Sequence, residues 1–207
     1  MDYLVLAEYR RTVSAHYADV RSAADPALAA ENWRMQRDDL FKSHPLSPIP
    51  PHQRDSYPGV PYAPYDLSWR FVVPLIPDMD DHIYELDLPE GYFRYKRFGR
   101  VHFTAPTGED GQLSLFWIMG YGGGIFLPFA DATNKHTTYG GGRYLYDTIK
   151  GADLGATTEN VVLDFNFAYH PSCRYSPEWT CPLAPNENRL PFAVPVGELL
   201  GEFPIGH

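Results

Sequence analysis

At 207 residues the chain is long enough to remove roughly 70% of its unfolded surface from water, so it can build a core without metal or disulfide support. A formal charge of -9 works against binding a phosphate backbone, which needs clustered Lys and Arg to displace counterions, and no nucleic-acid partner is expected. Twenty prolines, seventeen glycines and fifteen tyrosines favour short strands joined by tight turns over a helical bundle. The N-terminal residues lack a basic start and a long apolar run, and no stretch of about eighteen apolar residues occurs, so a soluble, cytoplasmic protein without a membrane partner is expected.

Residues 1–44 read as a helical region of two helices. Leu6, Tyr9, Val13, Tyr17 and Val20 recur at three-to-four-residue spacing and fall on one face. A break at Ser22-Ala23-Ala24 precedes Asp25-Pro26, an N-cap followed by a first-turn proline, and the second helix carries Leu28, Trp33, Leu40 and Phe41 until His44-Pro45 ends it. Residues 45–66 are proline-rich and cannot sustain a ladder of backbone donors. They read as an extended strap whose tyrosines and isoleucine pack on the surface.

From Leu67 the apolar period shortens to two, as in Trp69, Phe71 and Val73, and residues 67–207 form the expected β-rich core. Further strands are expected over Tyr92–Arg97, Arg100–Ala105, Gln112–Met119, Gly124–Phe129, Arg143–Asp147, Asn160–Ala168 and Phe192–Val196. The expected fold is a single mainly β domain of the α+β class. It would be an antiparallel barrel or sandwich of about eight strands with the two helices packed on it.

Residues able to carry chemistry concentrate towards the C-terminus. Strand alternation through Val161–Ala168 puts Asp164 and Asn166 on one face about 7 Å apart, a carboxylate and an amide that would share a barrel lumen if that face points inward. Gly140-Gly141-Gly142 precedes Arg143. The run reads either as a hairpin turn or as a nest of amides backed by a guanidinium, suited to a carboxylate or phosphate. Asp131 is a candidate ligand-binding carboxylate or a loop cap. His170, Cys173 and Cys181 offer an imidazole and two thiols, open to a disulfide, unpaired thiols, zinc or a Cys173–His170 dyad, although the spacing matches no common zinc motif. In a reducing compartment the two cysteines are expected to lie close together and stay reduced.

These blocks, in order, resemble a known family. They are Phe126–Thr133, Thr138–Leu145, Leu163–Asn166 with Ala168-Tyr169, and Cys181–Leu190, together with the early segment Phe41–Ser47. The chain is similar, from about Asp39 to Glu198, to the uncharacterised bacterial and archaeal proteins called domain of unknown function 1684. The resemblance implies one β-rich domain and brings no reaction with it. It also implies that Asp131, Arg143, Asp164, Asn166, Tyr169, Cys173, Cys181, Glu187 and Asn188 follow the family pattern. His170 departs from it, since family members usually carry asparagine there.

The resulting expectation is a domain that binds a small anionic or polar organic molecule, with Arg143 pairing the anion and Asp131, Asn166 and Asn188 completing the binding set. As a hydrolase or proton-transfer enzyme it would use Asp164 or Glu187 as base and Tyr169 as donor. No nucleotide or flavin fingerprint is present, so no cofactor is expected. The competing readings are a structural or protein-interaction domain in which the same residues pin turns, and a metal-binding protein using His170, Cys173 and Cys181.

Overall fold

The two N-terminal helices start where side-chain caps satisfy their first amides. The computed structural model describes residues 2–88 and 91–201. In α1 (Tyr3–Ser22), Asp2 accepts from the amides of Leu4 and Val5; in α2 (Pro26–Ser43), Asp25 accepts from those of Ala27 and Leu28, with Pro26 in the first turn. Both helices end on an extended residue, Ala23 and His44, as the sequence breaks predict. Tyr17 of α1 and Trp33 of α2 are buried, and their rings meet edge to face at 5.8 Å. Leu28, placed on the apolar stripe by its spacing, is instead exposed.

The proline-rich strap packs inward. Ile49, Tyr57 and Val60 join Phe41 and Tyr175 in a small satellite core. Asp38 of α2 ties the strap down, accepting from the Tyr57 hydroxyl at 2.6 Å and the Val60 amide at 2.9 Å. Its end lies against the C-terminal segment, where the Ala63 amide donates to the Gly197 carbonyl at 3.0 Å.

Among the described residues, eight strands form two antiparallel sheets: β1 (Arg70–Pro74), β2 (Ile76–Pro77), β3 (Tyr84–Leu88), β4 (Gly91–Thr104), β5 (Asp110–Ile118), β6 (Gly124–Phe129), β7 (Arg143–Asp147) and β8 (Asn160–Asp164). β1 and β8 make a two-stranded ribbon, with Phe71 opposite Leu163. The larger sheet runs β2-β4-β5-β6-β7, with β3 pairing the other part of β4. The ribbon packs onto this sheet through Phe71 and Phe165 against Phe103, at ring separations of 5.1 and 5.2 Å. One core contains Tyr17 and Trp33 from the helices, Leu113, Leu127 and Leu145 from the large sheet, Leu163 from the ribbon and Val194 from the C-terminal segment.

Three expectations change. The large sheet does not close into a barrel: β7 is an open edge, shielded by isolated antiparallel bridges of Tyr144 with Tyr169 and of Asp147 with Ala152. The two strands expected between Tyr92 and Ala105 are one 14-residue strand, β4, with a bulge between Arg97 and Gly99 that absorbs the irregularity. Phe192–Val196 is not a strand, because the carbonyls of Val194 and Val196 accept from the Arg143 guanidinium instead of from a neighbouring strand.

Candidate functional site

Most of the polar residues singled out in the sequence are committed to holding the fold. Arg143 is wholly buried; its guanidinium donates to Asp131 Oδ2 at 2.8 Å, to the Val194 carbonyl at 2.8 Å and to the Val196 carbonyl. Asp131 spends its other oxygen on the amide and hydroxyl of Thr133. The glycines before Arg143 serve close packing: Gly142, at φ +89°, sits where a Cβ would meet the Phe129 carbonyl oxygen at 2.5 Å. The run is a tight turn and leaves no guanidinium for an external anion.

Asp164 ends β8 and caps the short 3-10 turn Phe165–Phe167, accepting from the Asn166 amide at 3.1 Å. Strand alternation therefore stops at Asp164. Asn166 turns back to it and clamps the backbone of Asp66, accepting from its amide at 2.8 Å and donating to its carbonyl at 2.9 Å. Asp164 also accepts from Tyr65 at 3.0 Å and lies 3.6 Å from Arg70. Burial raises its pKa, against the lowering effect of its hydrogen bonds. It borders a cavity of about 280 Å³ with Arg70 and Asn160, whereas Arg143 is packed against Asp131 and the C-terminal carbonyls. The two do not form the shared pocket expected of them.

Asn188 acts as a piece of strand. Its side-chain oxygen accepts from the Ser114 amide at 2.7 Å, and its nitrogen donates to the carbonyls of Ser114 and Pro128 at 2.9 and 2.8 Å. This satisfies β5 where the β6 register shifts at Pro128, a residue without an amide proton. Glu187 accepts from Ser114, Tyr84 and Arg97. Burial alone would raise its pKa, but these bonds lower it, so Glu187 stays a paired carboxylate.

His170 is held at both ring nitrogens. Nε2 accepts from the Tyr139 amide at 3.1 Å, which leaves the proton on Nδ1, 2.9 Å from Glu198 Oε1. Glu198 also accepts from Tyr175 and the His170 amide and pairs with Arg37 at 3.0 Å. Burial would raise Glu198, but Arg37 and His170 bring it down to about 2. Burial lowers His170 more than Glu198 raises it. The imidazole is therefore neither a metal ligand nor a base for Cys173, and the described residues contain no cluster of three or more metal-ligating side chains.

The signs give two pH windows. His170 has a folded pKa below 6.5, so its contribution to stability is present above 6.5 and is lost as pH falls from there. Glu198 contributes above 4.5 and loses its share as pH falls towards about 2. In His170→Asn, the fall in stability between about pH 7 and 5 should be reduced by up to about 1.4 kcal/mol per pH unit. Chemical denaturation across that range measures it, and an unaltered slope would exclude His170 as the titrating group.

A different set of residues converges on open space. Between the helices and the β7 edge lies a cavity of about 310 Å³. Tyr9, Val13 and Tyr17 reach it from one face of α1, and Trp33, Arg37, Leu40 and Phe41 from one face of α2. Its floor is Tyr144, Asp147, Lys150 and Ala152, and Tyr169, His170 and Cys181 close the side. The turn after β7 fits under α1 because Gly151, at φ +91°, lies where a Cβ would come within 2.8 Å of the Ser14 amide nitrogen. Lys150 stands at the rim, 3.3 Å from Asp147, which raises its pKa. Arg37 lies 5.5 Å from the centre of the Tyr169 ring. Burial raises the pKa of Tyr9, Tyr17 and Tyr169, so all three hydroxyls keep their protons at neutral pH and can donate.

Of the residues named from sequence, the cavity takes Tyr169, His170 and Cys181. Arg37 and Lys150 were not singled out, Asp147 only as a strand end and Tyr17 only as part of the stripe on the first helix. The available signal was in α1, where tyrosine occupies two positions of a stripe that packing alone would fill with aliphatic residues.

Among curated proteins none matches. The solution NMR structure of an uncharacterised protein of Haloarcula marismortui is similar: it is 31% identical, with a TM-score of 0.61 over 82% of this chain and 91% of that one. The pattern of the family described as Protein of unknown function (DUF1684) matches residues 55–199. That span begins after both helices, so the helical wall of the cavity lies outside it. With the pattern covering more than half of the sequence, the chain belongs to the DUF1684 family.

Proposed function

We propose that the protein binds a small organic carboxylate in the cavity between the helices and the β7 edge. The observation that carries this reading is the lining: an apolar and aromatic body with four protonated tyrosines, two arginines and a lysine around one partly open space. About 310 Å³ lies at the lower end of small-molecule pockets, and a few polar groups in an apolar wall are their usual make-up. Charge sets the class of ligand. Arg10, Arg37 and Lys150 line the cavity; with Arg37 paired to Glu198 and Lys150 to Asp147, Arg10 leaves the lining a positive balance, against an overall charge of -9. The apolar body of the ligand would rest on Trp33, Leu40 and Phe41, with its carboxylate at Lys150. This keeps the anionic ligand expected from the sequence and moves it away from Arg143.

The test is thermal unfolding with a panel of aromatic and medium-chain monocarboxylates, each set against its neutral amide. A ligand that binds only the folded state stabilises it by about 2.7 kcal/mol at one hundred times its Kd. Carboxylates should raise the midpoint and the matching amides should not. Lys150→Met should weaken the best carboxylate about tenfold or more. If the amides do as well as the acids, or nothing in the panel moves the midpoint, the reading fails.

A further inference from the structure

We propose that Cys181 is a hydroperoxide-reactive thiol and that Cys173 resolves its oxidised form into an intramolecular disulfide. This is independent of the carboxylate reading, although Cys181 also faces the cavity.

The geometry assigns the two roles. Both cysteines are free and partly exposed. The Cys173 amide donates to Cys181 Sγ at 3.3 Å, and the two thiols are hydrogen-bonded to each other. The Cys173 amide thus gives Cys181 a backbone donor, an arrangement that stabilises a thiolate. The thiol bond from Cys173 is the largest effect. The Cys173 amide and the positive charge of Lys150 add to it, and against burial they bring Cys181 down to about 7. The same bond, with burial, pushes Cys173 up, so Cys173 keeps its proton. The Tyr139 hydroxyl lies 3.9 Å from Cys173 Sγ, on the resolving sulfur and not on the attacking one. His170 takes no part, since both its nitrogens are engaged.

In the first step the Cys181 thiolate attacks one oxygen of the O–O bond. That bond breaks, and the departing alkoxide or hydroxide takes a proton from solvent, leaving a sulfenic acid on Cys181. In the second step Cys173 loses its proton and its sulfur displaces the hydroxyl group of that sulfenic acid. Water is released and an S–S bond forms. The two thiols are oxidised by two electrons and one hydroperoxide is reduced.

The experiment treats the full chain with hydrogen peroxide at pH 7 and maps the products by mass spectrometry under non-reducing conditions. The wild type should lose two hydrogen atoms and yield one peptide pair linked through Cys173 and Cys181, at least tenfold faster than free cysteine reacts. Cys173→Ser should stop at a sulfenic acid on Cys181 that dimedone traps. In Cys181→Ser, Cys173 should react at least tenfold more slowly than Cys181 does in the wild type. In case a variant does not fold, the pH dependence of wild-type alkylation by iodoacetamide gives a second reading, with Cys181 half-reactive near pH 7. Preferred oxidation of Cys173, disulfides between molecules, or a rate no greater than that of free cysteine would each overturn the proposal.

Discussion

Arg143→Met is expected to lose about 3–5 kcal/mol of folding stability, the cost of removing one partner from a buried ion pair. The methionine keeps the apolar stem, but Asp131 is left charged at about 1% side-chain exposure, and the carbonyls of Val194 and Val196 lose their donor. The segment from 192 to 198 belongs to neither sheet, and the Arg143 bonds hold its middle, while backbone bonds of Phe192 with Ala132, Gly197 with Ala63 and Glu198 with Ala168 hold its ends. Against a total stability of about 5–15 kcal/mol the loss is large enough to leave a substantial unfolded fraction. Arg143→Lys should recover only part of it, because one ammonium cannot reach a carboxylate and two carbonyls in the fixed geometry of the guanidinium fork. Chemical denaturation of the three proteins measures the order. The sequence alone predicts the reverse emphasis, with binding impaired more than folding, and a methionine variant of near wild-type stability would restore that view.

Trp33→Ala is expected to cost about 3–5 kcal/mol. The indole is 2% exposed and meets Tyr17, Tyr62 and Phe167 edge to face at 5.2 to 5.8 Å, which joins α1, the strap and the main core through one side chain. Its removal should also enlarge the cavity it lines and loosen α1, most of whose outer face is exposed. Denaturation midpoints decide the first point, and hydrogen exchange in α1 decides the second. An unchanged midpoint would mean that the helices are peripheral to the fold.

The parts of the fold that local chemistry dictates were legible in advance. Asp25-Pro26 marks a helix start by supplying an acceptor and removing a donor, and His44-Pro45 marks the end; the structure has both within a residue. The alternation in Trp69, Phe71 and Val73 identifies β1, and the apolar run from Asn160 identifies β8, although the strand expected to reach Ala168 stops at Asp164, where the 3-10 turn begins. β3 was missed although Tyr84, Leu86 and Leu88 alternate with Glu85 and Asp87, because five residues with two carboxylates look as much like a solvated loop as an edge strand. Gly99 reads as a turn between two strands, and only its approach to Leu75 and the Ile76 carbonyl explains a bulge within one.

The candidate site was harder for a physical reason. Sequence identifies a polar residue but not its distant partner. Arg143 looked available because Asp131 lies twelve residues away and the accepting carbonyls more than fifty. Asn188 looked like a ligand group because nothing local shows that it replaces a strand beside Ser114, seventy-four residues earlier. The cavity residues were hidden for the opposite reason. Tyr17, Trp33 and Arg37 sit at ordinary helical spacing, and they surround a space only once α1 and α2 are laid across the turn after β7.

The most direct measurement is an NMR titration of uniformly labelled protein with the carboxylate that most raises its melting temperature. The shifts should be largest for the amides of residues 9–17, 33–41, 147–152 and 169–172, which come from four separate segments that meet only around this cavity. They should be small around Asp131 and Arg143, whose carboxylate and terminal guanidinium nitrogens are already paired. Shifts that centre on Asp131 and Arg143, or on the separate cleft of about 670 Å³ that Asp38, Tyr57 and Val60 of the strap region form with Arg174, Tyr175 and Glu198, would contradict the assignment of the site.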